Sequence, residues 1–324
     1  MSRVEQFLLG GGHNRTAIHV GLVNNMPDAA LRATELQFAR LLKASAGTLD
    51  VRLRLFSLRS IPRSADARSR MAGFYDDAAF LQAANIDALI ITGAEPSAAG
   101  LRDEPYWAEL AQLIDWAEIG TISTLFSDLA AHAAVLHLDG IEGRPLAEKL
   151  SGVYDTARAE DDPLFFNTAA QVAVPHSRRS NIAESDLAAK GYHVLSRLQN
   201  GQADIFTREP AGQSRFVFFQ GHPEYDPGTL GHEYLRDMGR FLRGESPERP
   251  SLPENYFDRA TEDRLKDMAG ETDLARFNEI IAGALPRQMW RSNTIKLFGN
   301  WLTLVAAAKA RRAASRSVRT RRRA

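Results

Sequence analysis

The sequence predicts an α/β protein in which a mostly parallel sheet is layered between helices. Short unbroken apolar runs alternate with segments of helical periodicity over the first 140 residues, and Gly, Pro or Asn punctuates the joins. Unbroken apolar runs are the mark of strands buried on both faces, which is the situation inside a parallel sheet covered by helices. A third observation is the join near residue 128, where a β-rich run passes into an Ala/Leu helix with hardly a connecting residue.

Taken in order, residues 18–23, 51–58, 86–91 and 121–126 read as strands. Helices fall at 31–44, 105–118 and 129–137, the first placing Leu31, Phe38, Leu41 and Leu42 on one apolar stripe. After Gly140 the pattern turns β-rich, with strands at 171–174, 192–195, 203–207 and 215–219, before helices return near Leu230 and Ile295. The polar stretches 244–253 and 262–271 read as surface segments. We divide the chain into a lead-in at 1–16, one α/β domain at 17–306 and a basic tail at 307–324.

Composition narrows the class. With 324 residues, 44% of them hydrophobic, the chain can bury a large core. It has no cysteine, which excludes disulfides and thiolate metal sites. The apolar run near the N-terminus is too short for a signal peptide and nowhere do eighteen apolar residues follow one another, so no membrane span and a cytoplasmic location are expected. Net charge is zero, yet residues from Lys309 onward carry eight basic and no acidic side chains, leaving a body of net −8. That Arg-rich end is expected to be disordered. Nucleic acid is not expected as a partner beyond weak, salt-sensitive contact by this tail, since no reading helix or aromatic platform accompanies the charge.

Two places can carry chemistry. The run 215–219 stops at Gly221-His-Pro-Glu224, which puts His222 and Glu224 at a strand's carboxyl end, where ligands of parallel sheets bind. A carboxylate two residues from an imidazole can orient or charge it. At the strand-to-helix join the side chain on the corner is Asp128. A sharp strand-to-helix turn is the layout of a nucleophile elbow, although Asp is equally a preferred helix N-cap. Strand alternation would turn the neighbouring Ser127 away from whatever Asp128 faces. His132 and His137 are five apart on a helix, off a common face, and no metal site is indicated.

Several segments, in one order along the chain, resemble the homoserine O-acyltransferase (homoserine O-succinyltransferase) family. They include Gly21-Leu-Val-Asn-Asn-Met-Pro27, Ile90-Ile-Thr-Gly-Ala94, Asp103-Glu-Pro-Tyr-Trp107, Glu148-Lys-Leu-Ser-Gly-Val-Tyr154, Pro175-His-Ser-Arg178, Gly221-His-Pro-Glu-Tyr-Asp226 and Glu233-Tyr-Leu-Arg-Asp237. The resemblance implies a three-layer sandwich of the class I glutamine-amidotransferase-like type. It also implies acyl transfer from an acyl-CoA co-substrate to the hydroxyl of homoserine or a related amino acid in methionine biosynthesis, with no cofactor.

Carried over by position, the resemblance makes His222 and Glu224 the catalytic pair and Lys149, Ser177 and Arg236 the cradle for the amino acid. The family's nucleophilic cysteine falls at Asp128, and this weighs against the thioester route because a carboxylate is a weaker nucleophile than a thiolate. His222 would act as general base with Glu224 as its orienting partner, Asp128 as a second base or the site of a transient acyl anhydride, and backbone N–H groups near Gly93 and Leu129 as the oxyanion site. The acyl-specificity position falls at Ser97, whose small side chain suits succinyl-CoA, whereas Glu95 turned inward would favour acetyl-CoA. The expected partners are these small molecules, with a homodimer left open. Two readings follow: an acyltransferase working with Asp128, or a diverged member that binds an amino acid or acyl-CoA as a sensor.

Overall fold

The computed structural model describes residues 17–284, 286 and 289–321, with side chains described as far as 315. The expected lead-in at 1–16 and the last three residues of the tail lie outside the described residues.

Among these residues ten strands join in one sheet of order β3-β2-β1-β4-β5-β10-β9-β8-β6-β7. The parallel half comprises β1 (Ile18–Val23), β2 (Val51–Ser57), β3 (Tyr75–Asp77), β4 (Ala88–Thr92), β5 (Ser123–Ser127) and β10 (Arg215–Phe219). The antiparallel half adds β6 (Arg144–Arg158), β7 (Gln171–Asn181), β8 (His193–Leu198) and β9 (Ala203–Arg208). All five residues of β4 and of β5 are buried, as their unbroken apolar or small-residue sequences require.

Helices cover both faces. On one side α3 (Trp107–Gly120) and α4 (Leu129–Asp139) pack with Leu89, Ile91, Phe126, Phe216 and Phe218. On the other, α1 (Asp28–Ser45) and the long C-terminal helix pack with Val20, Leu22, Ile90, Leu125, Val217 and Phe219. The alternate residues of each strand thus feed opposite layers, giving the three-layer α/β sandwich that the alternating pattern predicts. Numbered in order, the remaining helices are α2 (Ala65–Met71), α5 (Glu184–Ala189), α6 (Thr229–Leu242), α7 (Arg259–Asp267), α8 (Leu274–Ala282) and α9 (Arg291–Arg321). A third apolar cluster, centred on Tyr234, Met238, Phe277 and Trp290, joins α6, α7 and α8 beside the sheet.

Residues 262–271 lie at the surface as expected, with only Leu265 buried, and part of the stretch is helix because Asp258 caps α7 by accepting from Thr261 N–H. One expectation needs correction. The tail is not disordered from 307 onward: α9 continues as helix to Arg321. Ala and Arg are good helix formers, and the first tail residues dock on the body. Lys309 Nζ donates to Asp87 Oδ2 at 2.7 Å and to the Ala17 carbonyl, while Arg312 donates to the Thr121 carbonyl.

Candidate active site

The cleft lies where four parallel strands end. Its lining comes from Met26 and Pro27 after β1, Thr92–Pro96 at the end of β4, Ser127–Leu129 at the end of β5 and His222, Glu224 and Tyr225 after β10, and it encloses about 310 Å³. Strand order reverses between β1 and β4, since the chain runs from β1 outward to β2 and later from β4 to β5 on the other side. Crevices at the carboxyl ends of such a switch point are the usual ligand sites of open α/β sheets.

Asp128 sits on the elbow with φ 49° and ψ −114°, a sparsely populated conformation for a residue with a Cβ. Its N–H continues the ladder to the Phe219 carbonyl at 2.8 Å, and its own carbonyl accepts from Ala131 and His132 as the helix begins. The backbone is therefore pinned on both sides of the strained residue. The carboxylate forms no regular side-chain cap on α4 and meets that helix at its first amide, Leu129 N–H, whose contact lowers the carboxyl pKa. Gly93 lies directly opposite: a Cβ there would come within 2.8 Å of Leu129 Cβ and 3.2 Å of Leu129 N. Only glycine lets the β4 end approach the first amides of α4 so closely.

Asp128, His222 and Glu224 converge. His222 Nδ1 is 2.9 Å from Glu224 Oε1, and His222 Nε2 is 3.8 Å from Asp128 Oδ2. The imidazole is bracketed by two carboxylates and stacked on Tyr225 with ring centroids 4.2 Å apart. Burial alone would lower its pKa, but the charge and hydrogen bond of Glu224, then Asp128, raise it to about 9. Near neutral pH the ring is an imidazolium. Burial pushes the Asp128 carboxyl above the usual range, opposed by His222 and by the buried Arg178. Among the described residues Arg178 pairs with no carboxylate. Its guanidinium donates to the Ser180 carbonyl, to Asn181 Oδ1 and to Gln202 Oε1, leaving its positive charge to act on the cleft floor.

Ser127 departs from expectation. Its hydroxyl donates to Glu224 Oε1 at 3.4 Å instead of facing away. Strand alternation fails at this point because the positive φ of Asp128 swings the corner side chain out of the pleat, so both residues reach the same constellation.

The expected cradle assembles on the opposite wall, built by α6 and the hairpin of β6 and β7. Lys149 Nζ lies 2.8 Å from Asp237 Oδ2, and Arg236 pairs with Asp237 at 2.9 Å. Ser177 Oγ donates to Glu233 Oε2 at 2.5 Å, and the Tyr225 hydroxyl donates to Glu233 Oε1 at 2.7 Å. Glu233 is the residue that sequence reading missed. It links the cradle to the aromatic ring that stacks on His222, and its position four residues before Asp237 and three before Arg236 could have placed it on the cleft face of a helix.

Ser97 is not brought into the cleft. Its hydroxyl and its N–H both bond Glu104, at 2.7 and 2.6 Å, which folds the loop after β4 on itself. Glu95 lines the cleft instead, with Oε1 2.5 Å from Arg240 on α6. His176 is buried behind the site, its Nε2 3.4 Å from Asp204 Oδ1. His132 is buried too and its pKa falls to about 4, first by desolvation and then by Arg178, so it is neutral. Among the described residues no group of three or more His, Asp or Glu is arranged to hold a metal ion.

The family model described as homoserine O-succinyltransferase matches residues 11–311. A homoserine O-succinyltransferase from Rhodopseudomonas palustris is 51% identical over 298 residues, covering 90% of this chain and 89% of that protein. Proteins of the same description from Methylorubrum extorquens and Bradyrhizobium japonicum are 47% and 46% identical, each over 89% of this chain and over 87% and 90% of their own. A solved glutamine amidotransferase from Methylobacillus flagellatus has a TM-score of 0.49 at 14% identity, covering 89% of this chain and 95% of its own. With a family model spanning nearly its whole length and relatives matched almost end to end, the chain belongs to the homoserine O-succinyltransferase family.

Proposed function

We propose that this protein transfers the acyl group of an acyl-CoA to the γ-hydroxyl of homoserine, directly and without an acyl-enzyme, with succinyl-CoA favoured by the description of its relatives and acetyl-CoA by Glu95, which lines the cleft in place of Ser97. The observation that carries this reading is the His222 ring held between two carboxylates, Nδ1 2.9 Å from Glu224 and Nε2 3.8 Å from Asp128, a setting that favours its protonated form. A family member with a thiolate at the elbow would attack the thioester itself. A carboxylate there is a poor nucleophile toward a thioester, and the anhydride it would form is a high-energy adduct. The same carboxylate is a competent base once burial has raised its proton affinity.

The reaction then balances in one site. Asp128 takes the proton of the homoserine hydroxyl as that oxygen bonds to the thioester carbonyl carbon. The resulting oxyanion faces the amides near Gly93 and Leu129 at the positive end of α4. The carbon–sulfur bond breaks, and the departing sulfur takes the proton of the His222 imidazolium, whose pKa of about 9 lies close to the ~8.5 of an ordinary thiol. The proton on Asp128 finally passes to the neutral His222, whose Nε2 is 3.8 Å away in the resting site, restoring the starting state. Arg236 and Lys149 suit the carboxylate of the amino acid, and Glu233 suits its ammonium group.

Because the chain contains no cysteine, a thiol reagent reads released coenzyme A against no protein background. The test is initial-rate measurement with both substrates varied. Intersecting reciprocal plots support direct transfer. Parallel plots would show a covalent intermediate and overturn the mechanism, and binding of homoserine or succinyl-CoA without thiol release would favour the sensor reading.

A further inference from the structure

A second cavity of about 620 Å³ adjoins the cleft and shares part of its wall, including Lys149, Arg179 and Arg240. Its size is that of a site for a substantial part of a small molecule. The shared wall is made by an irregularity in the β6/β7 hairpin. Ser180 pairs with Pro145 and Arg178 with Leu150, so four residues of β6 stand opposite Arg179 alone. Bulges of this kind re-aim side chains beside functional sites. Here the bulge swings Lys149 to the cleft and leaves Arg179 exposed at its mouth.

Arg179 differs from the other cations of this wall. Lys149 and Arg236 bracket Asp237, Arg240 holds Glu95, and Arg249 donates to the Met268 and Ala269 carbonyls. The guanidinium of Arg179 has no hydrogen-bond or ion-pair partner among the described residues. It also belongs to the opposite strand face from Arg178, the buried neighbour whose charge reaches Asp128. Arg179 therefore serves something that arrives from outside and lies away from the reacting atoms. Of the acids on the second cavity, Asp237 is neutralised by Lys149 and Arg236, and Glu245 by Arg243 at 2.6 Å. Glu148 and Glu248 are exposed to solvent.

We infer that the second cavity receives the phosphate-bearing nucleotide end of the acyl donor, with Arg179 as its principal contact and Arg240 as a second contact after exchange from Glu95. This rests on the proposed use of an acyl-CoA. A guanidinium fork matches phosphate oxygens, and the shared wall would let the thioester end reach the cleft while the nucleotide stays outside it.

Calorimetry on the full chain tests this without requiring turnover. Adenosine 3′,5′-bisphosphate and coenzyme A are titrated into native protein and into Arg179→Ala, with Arg179→Lys retaining charge but losing the fork. The expected result is a loss of affinity for both ligands of about ten- to a hundredfold in Arg179→Ala, the range for one charge-assisted bond. In kinetics the penalty in kcat/KM should appear with succinyl-CoA and acetyl-CoA alike and shrink to within about twofold with succinyl-pantetheine, which lacks the nucleotide. An equal penalty with succinyl-pantetheine would assign Arg179 to the acyl end and overturn the inference. So would unchanged affinity, or a native protein that does not bind coenzyme A. Failure of the homoserine reading is distinct: it appears as nucleotide binding sensitive to Arg179 with no thiol release in the presence of homoserine.

Discussion

The floor of the cleft and its rim both carry charges but treat them differently. On the floor, His222 and Glu224 are only 8% and 6% exposed, carried on strand ends and pinned by backbone bonds. On the rim, Arg236, Arg240 and Glu95 are about 40% exposed, Arg240 pairing with Glu95 and Arg236 with Asp237. Burial makes the floor's electrostatics strong and fixed, whereas water and salt screen the rim, so its pairs can exchange for a ligand's charges. On the proposed reading the floor serves proton transfer and the rim recognition.

That contrast predicts where the large effects lie. Replacing His222 with Ala should lower kcat by about 10²–10⁴-fold with little change in substrate affinity, as expected for loss of a general acid. Steady-state kinetics would check it, and a defect confined to KM would move His222 to the rim's class. The pH profile sharpens the same point. An imidazolium acid with a pKa of about 9 should sustain activity through neutral pH and lose it as pH rises through 9, opposite to a general base. The stability linked to this group has the same sign. Its folded pKa lies above the ordinary 6.5, so the contribution is complete below 6.5 and disappears as pH rises toward 9, visible as a falling denaturation midpoint.

Rim substitutions should act on binding. Arg236→Ala should weaken homoserine binding by about 1.5–3 kcal/mol, toward the lower end because the side chain is 38% exposed, and calorimetry would read it. The smallest effect belongs to Glu95→Gln. An exposed pair contributes under about 1 kcal/mol, so thermal stability should barely move while the salt dependence of donor KM changes through the freed Arg240. A large loss of stability there would contradict the division between floor and rim.

Much of the floor was legible from sequence because its determinants are local. The apolar run 215–219 ends at Gly221 and Pro223, which places His222, and the abrupt join at Asp128 marks the elbow. The orientation of Ser127 was not legible, since it depends on the backbone twist at Asp128, which strand periodicity ignores. The rim was harder. Strand β6 carries Arg, Pro, Glu and Lys with no apolar run and is held by pairing with β7, a long-range feature invisible to local pattern. The loop after β4 left open whether Ser97 or Glu95 faces the acyl group, and Glu104 folds it so that Glu95 and not Ser97 meets the cleft. The helix from 307 onward shows the same effect, with docking of Lys309 outweighing a composition that favours disorder.

The central claim is that the elbow carboxylate works as a base beside a protonated His222 and carries no acyl group. Intact-protein mass spectrometry after mixing with succinyl-CoA, on the native chain and on Asp128→Cys, tests it most directly. The native protein should release coenzyme A only when homoserine is present and should show no added mass. The cysteine variant should gain one succinyl unit in the absence of homoserine, because a thiol at the N-terminus of α4 beside an imidazolium has a depressed pKa. A succinyl adduct on the native protein that forms and discharges at the rate of turnover would contradict the account.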